Sequence, residues 1–167
     1  MKALLTFSLI FLVGLSALAI NDEEITEVMK TANNAEIDAA KVAKKNASDG
    51  QVKAFAEMMV TDHEENLKDV NNLSKVEKIK MKSSDDSKSL KKDATDKLSD
   101  VKKKKGHEFD KAYMQMQVDM HKQLLDDLDN KLIPQAQNKN LKVYLQSTRE
   151  SVQKHHAKAE QVLSQLK

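Results

Sequence analysis

Cysteine is absent from the 167-residue chain, so the fold has no disulfides and no lipid-attachment cysteine of the kind a bacterial lipoprotein carries. Tryptophan is also absent, proline occurs once, glycine three times, and aromatic residues make up only 4%. With so few turn formers and β-favouring residues, and with abundant Ala, Lys, Glu, Gln and Leu, the composition selects an all-α protein. Neither sign of charge dominates: 28 basic residues face 26 acidic ones. This balance argues against a dedicated nucleic-acid binder. Lys102-Lys103-Lys104-Lys105 is a local exception, read as a solvated helix end because no aromatic or glycine is interleaved with it. Beyond residue 19 no apolar run is long enough to span a bilayer.

Residues 1–19 have the form of a secretory signal. Lys2 gives a positive start, Ala3 to Leu15 are apolar, and Ala17-Leu18-Ala19 is a small-x-small cleavage site. A mature chain starting at Ile20 and exported to the periplasm or beyond is expected. Residues 20–167 are long enough for one real core, and without disulfides that core must suffice.

The apolar periodicity predicts four long helices, over about 23–47, 51–76, 107–131 and 140–166. Asp22 is the expected cap of the first, and Ser48 with Gln51 is the expected capping box of the second. Between the second and third, residues 77–106 form a long connection rich in Lys, Asp and Ser. Leu90, Ala94, Leu98 and Val101 within it have helical spacing, so a short amphipathic helix is expected there, ended by Gly106. Pro134 and the Asn/Gln-rich stretch to Asn140 make the last turn.

Polar residues interrupt the inward stripes. On the second helix, Phe55, Ala56, Met59, Leu67 and Val70 fall within about 60° of Val52, and His63 lies near the centre of that arc. Glu36 sits in the middle of a stripe of Ile25, Met29, Ala32, Ala39 and Ala43. His121 lies on the apolar surface of the third helix, and His155 and His156 flank the stripe of the fourth. Glu36, His63, His121 and His155 each lie about thirteen to fifteen residues into their helices, so packing brings them to one level. An ionisable group aimed at a core must be hydrogen-bonded, paired or metal-bound. Three imidazoles and a carboxylate form a ligand set for zinc, iron or copper, with Asp62 as a further ligand or supporting partner and His156 as the reserve on the last helix. The competing reading is a metal-free layer, closed by its own hydrogen bonds, in an envelope interaction protein with an unidentified protein partner. Asp110 is too far along its helix to share an ion with His121 and is assigned to the start of the third helix. His107 lies at the same exposed end, outside the layer. The methionines at 29, 58, 59, 114, 116 and 120 are read as flexible core filling, with soft copper ligation as a minor alternative. No nucleophile and base pair supports an enzyme, and membrane-surface contact by the 86–105 helix is the weakest of the readings.

The pieces Ala35-Glu36, Phe55-Ala56 to Met59-Val60-x-Asp62-His63, Phe109-Asp110-x-x-Tyr113 followed by His121, and His155-x-x-x-Ala159 resemble the bacterial "domain of unknown function 4142" family, which is grouped with ferritin-like folds. The resemblance implies an exported ferritin-like four-helix bundle with a long crossover between its second and third helices, and it implies no settled activity. One departure from ferritin-like enzymes bears on the chemistry. Di-iron bundles place a Glu three residues before each of two ligand histidines. Here Val60 and Val152 stand three before His63 and His155, so a di-iron centre is not expected.

Overall fold

A computed structural model describes residues 20–166, and the signal-like segment 1–19 lies outside them. Among the described residues there is no strand, and no helix is long and apolar enough to cross a membrane. The elements are α1 (Asp22–Asn46), α2 (Gly50–Val76), α3 (Asp85–Lys102), α4 (Gly106–Asp127), a π-helical turn (Leu128–Leu132), α5 (Ile133–Gln135) and α6 (Lys139–Gln165).

Helix starts differ from expectation by one residue, for identifiable reasons. Asn21, not Asp22, caps α1: its side chain accepts from the Glu24 N–H while Glu24 accepts from the Asn21 N–H. Asp22 is thereby freed, and its carboxylate accepts from the backbone N–H groups of Gln137 and Asn138 at 2.8 and 2.9 Å. Asp49, not Ser48, caps α2, accepting from the N–H groups of Gln51 and Val52. Gly106 does not end the connecting helix, which stops at Lys102. It opens α4 instead, with φ +56, a left-handed conformation that glycine adopts without strain. The third long helix also runs on past residue 131. Pro134 has no N–H to donate, and just ahead of it the bonding widens to i→i+5, with the Ile133 N–H reaching the Leu128 carbonyl.

Contacts at the helix ends fix the chain's course. Asp22 at the start of α1 and Glu77 at the end of α2 both bond to the α5–α6 turn, Glu77 accepting from the Asn138 and Asn140 side chains. At the opposite end, Asp110 in the first turn of α4 accepts from Ser48 N–H at 3.0 Å, Asp49 N–H at 2.9 Å and the Ser48 hydroxyl. Asp110 therefore holds the α1–α2 turn and does not serve its own helix start. Hence α1 and α6 run one way and α2 and α4 the other. The chain between Val76 and Gly106 must travel the length of the bundle, and α3 carries it along α1 and α4. α3 is lightly seated: Ser87 and Val101 are buried, while Leu90, Ala94 and Leu98 are half-buried.

The apolar core is in two parts. Phe55, Met59, Phe109, Tyr113, Met114 and Ala159 belong to one, and Ile25, Met29, Leu124, Leu128, Leu141 and Leu145 to the other. Glu36, His63, Gln117, His121 and His155 are buried between them.

Candidate metal centre

Each histidine is carried inward by the helical stripe around it, and each ring is oriented by an oxygen on its outer side. His63 on α2 places Nδ1 2.9 Å from Asn33 Oδ1 on α1. Both N–H groups of that amide are already used: Asn33 Nδ2 donates to the Met29 carbonyl at 2.9 Å and to Asn66 Oδ1 at 2.8 Å. Asn33 therefore presents only an acceptor to His63, so His63 Nδ1 must carry the proton. His121 on α4 places Nδ1 2.9 Å from the Gln117 carbonyl one turn earlier, again an acceptor only. His155 on α6 places Nε2 2.9 Å from Asp62 Oδ2 on α2. In all three neutral rings the proton lies on the outward nitrogen.

The remaining nitrogens, His63 Nε2, His121 Nε2 and His155 Nδ1, are buried and have no hydrogen-bond partner among the described residues. The ring centroids are 5.9 Å apart for His63–His121, 5.3 Å for His63–His155 and 5.5 Å for His121–His155. One nitrogen from each ring lies within 4.8 Å of the other two. A point equidistant from three atoms at that limit is about 2.8 Å from each, against about 2.0–2.1 Å for a zinc–imidazole bond. Closing the rings on an ion thus takes movements of well under 1 Å.

The electrostatics favour neutral rings. Burial holds His63 well below its ordinary pKa, and the neighbouring His121 and His155 lower it further. Burial brings His121 down to about 4, opposed by its bond to the Gln117 carbonyl. Burial and His121 lower His155, with Asp62 opposing. A neutral imidazole with a free lone pair is the form that binds metal.

The other predicted residues fall around these three nitrogens. Asp62 supports His155 from the outer side. Glu36 lies at the same level but behind His121: its Oε1 is 3.8 Å from His121 Nδ1, the proton-bearing nitrogen, and its Oε2 accepts from Gln117 Nε2 at 2.9 Å. Burial raises its pKa to about 7. His156 is outside the converging set, 3.6 Å from Glu160. His107 is exposed.

Sequence reasoning did not assign roles to Asn33, Asn66, Tyr144 and Thr148. Asn66 accepts from Asn33 and from the Tyr144 hydroxyl and donates to Thr148 Oγ1 at 3.0 Å, extending a polar chain from His63 to α6. A signal was present: Asn33 precedes Glu36 by three residues and Asn66 follows His63 by three, each a poor helix former set on a buried stripe. A cavity of about 570 Å³ reaches this side of the centre and is lined by Asp62, His63, Asn66, Thr148 and His155.

A family model described as a domain of unknown function (DUF4142) matches residues 14–162. The chain belongs to that family. No curated protein and no solved structure matches it.

Proposed function

We propose that this DUF4142 protein is an exported, ferritin-like helical bundle that binds one transition-metal ion through His63, His121 and His155, for sequestration or protection against metal stress. One observation carries the reading: three buried imidazoles bring one nitrogen each within 4.8 Å of one another, and each ring has one nitrogen bonded to an oxygen and the other buried without a hydrogen bond among the described residues. A metal-free polar layer would need donors for these three acceptors, and none of the three rings can supply one. A single water has two protons to give, so at least two ordered waters would be needed to serve all three acceptors. A cation satisfies all three.

The donor set narrows the ion. Three neutral nitrogens with neither thiolate nor carboxylate among them suit zinc(II) or copper(II) better than iron(II), whose usual sites add a carboxylate. Asp62, accepting from His155, matches the outer partners that orient metal-binding imidazoles. The parallel course of α2 and α4, joined end to end by α3 as the crossover, supports the ferritin-like reading, and the signal-like residues 1–19 support export.

The deciding experiment is metal analysis of protein purified from cells, for wild type and His63→Ala. One ion per chain, lost in the variant, is expected. A metal-free wild-type protein that also fails to take up zinc or copper stoichiometrically would refute the proposal.

A further inference from the structure

A second cavity, of about 350 Å³, lies between α1, α3 and α4, and no histidine lines it. α3 roofs it. Its walls include an apolar strip, with Ala32 from α1, Leu90 from α3, and Met120 and Leu124 from α4, beside the polar Ser89, Asp93 and Lys97 of α3. Acidic groups stand at both ends. At the inner end is Glu36, only 4% exposed, whose Oε2 is held by Gln117 and whose Oε1, 3.8 Å from His121 Nδ1, takes no hydrogen bond among the described residues. At the outer end, Asp127 of α4 and Asp86 of α3 both line the cavity. Burial and the Asp86 charge both push the Asp127 carboxyl up, although Gln123 and Lys131 oppose this. Lys131 is itself engaged by Asp86 at 2.5 Å. Four carboxyl groups line the cavity, those of Glu36, Asp86, Asp93 and Asp127, against the two ammonium groups of Lys97 and Lys131. The excess is negative.

The ends are too far apart for one metal ion. Gln117, which touches Glu36, and Asp127 are ten residues apart on regular helix α4, a rise of about 15 Å. Allowing about 2.8 Å at each end for an ammonium–carboxylate hydrogen bond leaves about 9 Å between two nitrogens, the span of a six- or seven-carbon chain when extended or an eight-carbon chain when bent. We propose that this cavity binds an aliphatic diamine or polyamine of that length, with one ammonium on Glu36, the other on Asp127 and Asp86, and the methylenes along Ala32, Met120 and Leu124. An apolar strip with a carboxylate at each end, in a slot of net negative charge, matches that chemistry and disfavours anions and neutral chains. Through Glu36, 3.8 Å from His121 Nδ1, the slot adjoins the histidine centre, but it needs no metal.

Calorimetric titration of the metal-free protein in chelator tests this, with spermidine, diaminooctane, octylamine and octanediol as probes. The diamine and spermidine are expected to bind, octylamine at least tenfold more weakly, and octanediol not measurably. Glu36→Gln and Asp127→Asn are each expected to weaken diaminooctane at least tenfold. Ala94→Phe, which fills the space beneath α3, should abolish binding, with circular dichroism melts confirming that each variant is folded. The proposal is overturned if octanediol binds as well as diaminooctane, if both carboxyl variants keep wild-type affinity, or if no diamine binds at millimolar concentration.

Discussion

His63 Nδ1 and Asn33 Oδ1 lie 2.9 Å apart, and this contact decides which face of the imidazole is available. Asn33 cannot turn its amide over without giving up the Met29 carbonyl and Asn66 Oδ1, so its oxygen must face His63. The lone pair of His63 is then forced onto Nε2.

Asn33→Leu removes that constraint while keeping the side-chain volume close. Metal affinity is expected to fall about 10–100-fold, the usual cost of losing an outer partner of a ligand histidine. Stability of the metal-free protein should fall by about 1–3 kcal/mol, because His63 N–H and Asn66 Oδ1 lose a buried partner. Competition titration against a chromophoric chelator reads the first and urea unfolding the second. Unchanged affinity would show that Asn33 does not orient the ring.

Metal should also register in the melting temperature. An ion held by the folded chain alone, at a free concentration a hundredfold above its Kd, adds about 2.7 kcal/mol. For a domain of this size that is about 5–10 °C. Zinc or copper should give this shift and EDTA should reverse it. Magnesium and calcium should give none, since they require oxygen ligands. A shift of equal size with magnesium would point to surface charge screening instead of the three nitrogens.

The metal-free protein should lose stability in mild acid. The three imidazoles protonate near pH 6.5 in the unfolded chain but only at lower pH when buried, His121 at about 4. Below 6.5 the unfolded state therefore binds more protons, and stability drops until the folded values are passed. Glu36 acts in the opposite sense. Raised to about 7 from an ordinary 4.5, it contributes stability below pH 4.5 that disappears as pH rises toward 7. Three groups outweigh one, so about one to two protons are taken up on unfolding, and stability should rise by roughly 2 kcal/mol per pH unit from pH 5 to 6.5. Glu36→Gln removes the opposing group and should steepen the slope. Urea midpoints across this range check both statements, and a flat wild-type profile would contradict the neutral state of the rings.

Much of this was legible in the sequence. Apolar stripes on helices of similar length placed Glu36, His63, His121 and His155 at one level, because helical rise and rotation follow from residue number alone. Bringing three nitrogens to a point was not legible, because it depends on ring rotation, and that is set by oxygens on other helices: Asn33 for His63 and Asp62 for His155. Glu36 illustrates the limit. Its height was correct, yet Gln117 draws its carboxylate behind His121, a lateral displacement of a few Å that periodicity cannot resolve. Helix caps were misplaced by one residue for a similar reason. Asn21, Asp22, Ser48 and Asp49 are all competent caps, and long-range partners at Asn138 and Asp110 decided between them.

Asp110 provides a test of stability separate from the metal. Its carboxylate, 1% exposed, takes the backbone N–H groups of Ser48 and Asp49 and the Ser48 hydroxyl, so one side chain of α4 satisfies the turn joining α1 to α2. Asp110→Ala strips three donors of their acceptor where water reaches only in part. A loss of about 2–4 kcal/mol is expected, larger than for an exposed cap, because charge-assisted bonds are lost together with the tie between α4 and the hairpin. His121 is eleven residues further along the same helix, about 16 Å away, so metal affinity should change less than about twofold provided the protein remains folded. Urea unfolding and chelator competition on the one variant separate the two effects. A large loss of affinity alongside a small loss of stability would mean that the hairpin turn, and not the mid-bundle layer alone, sets the geometry of the three histidines.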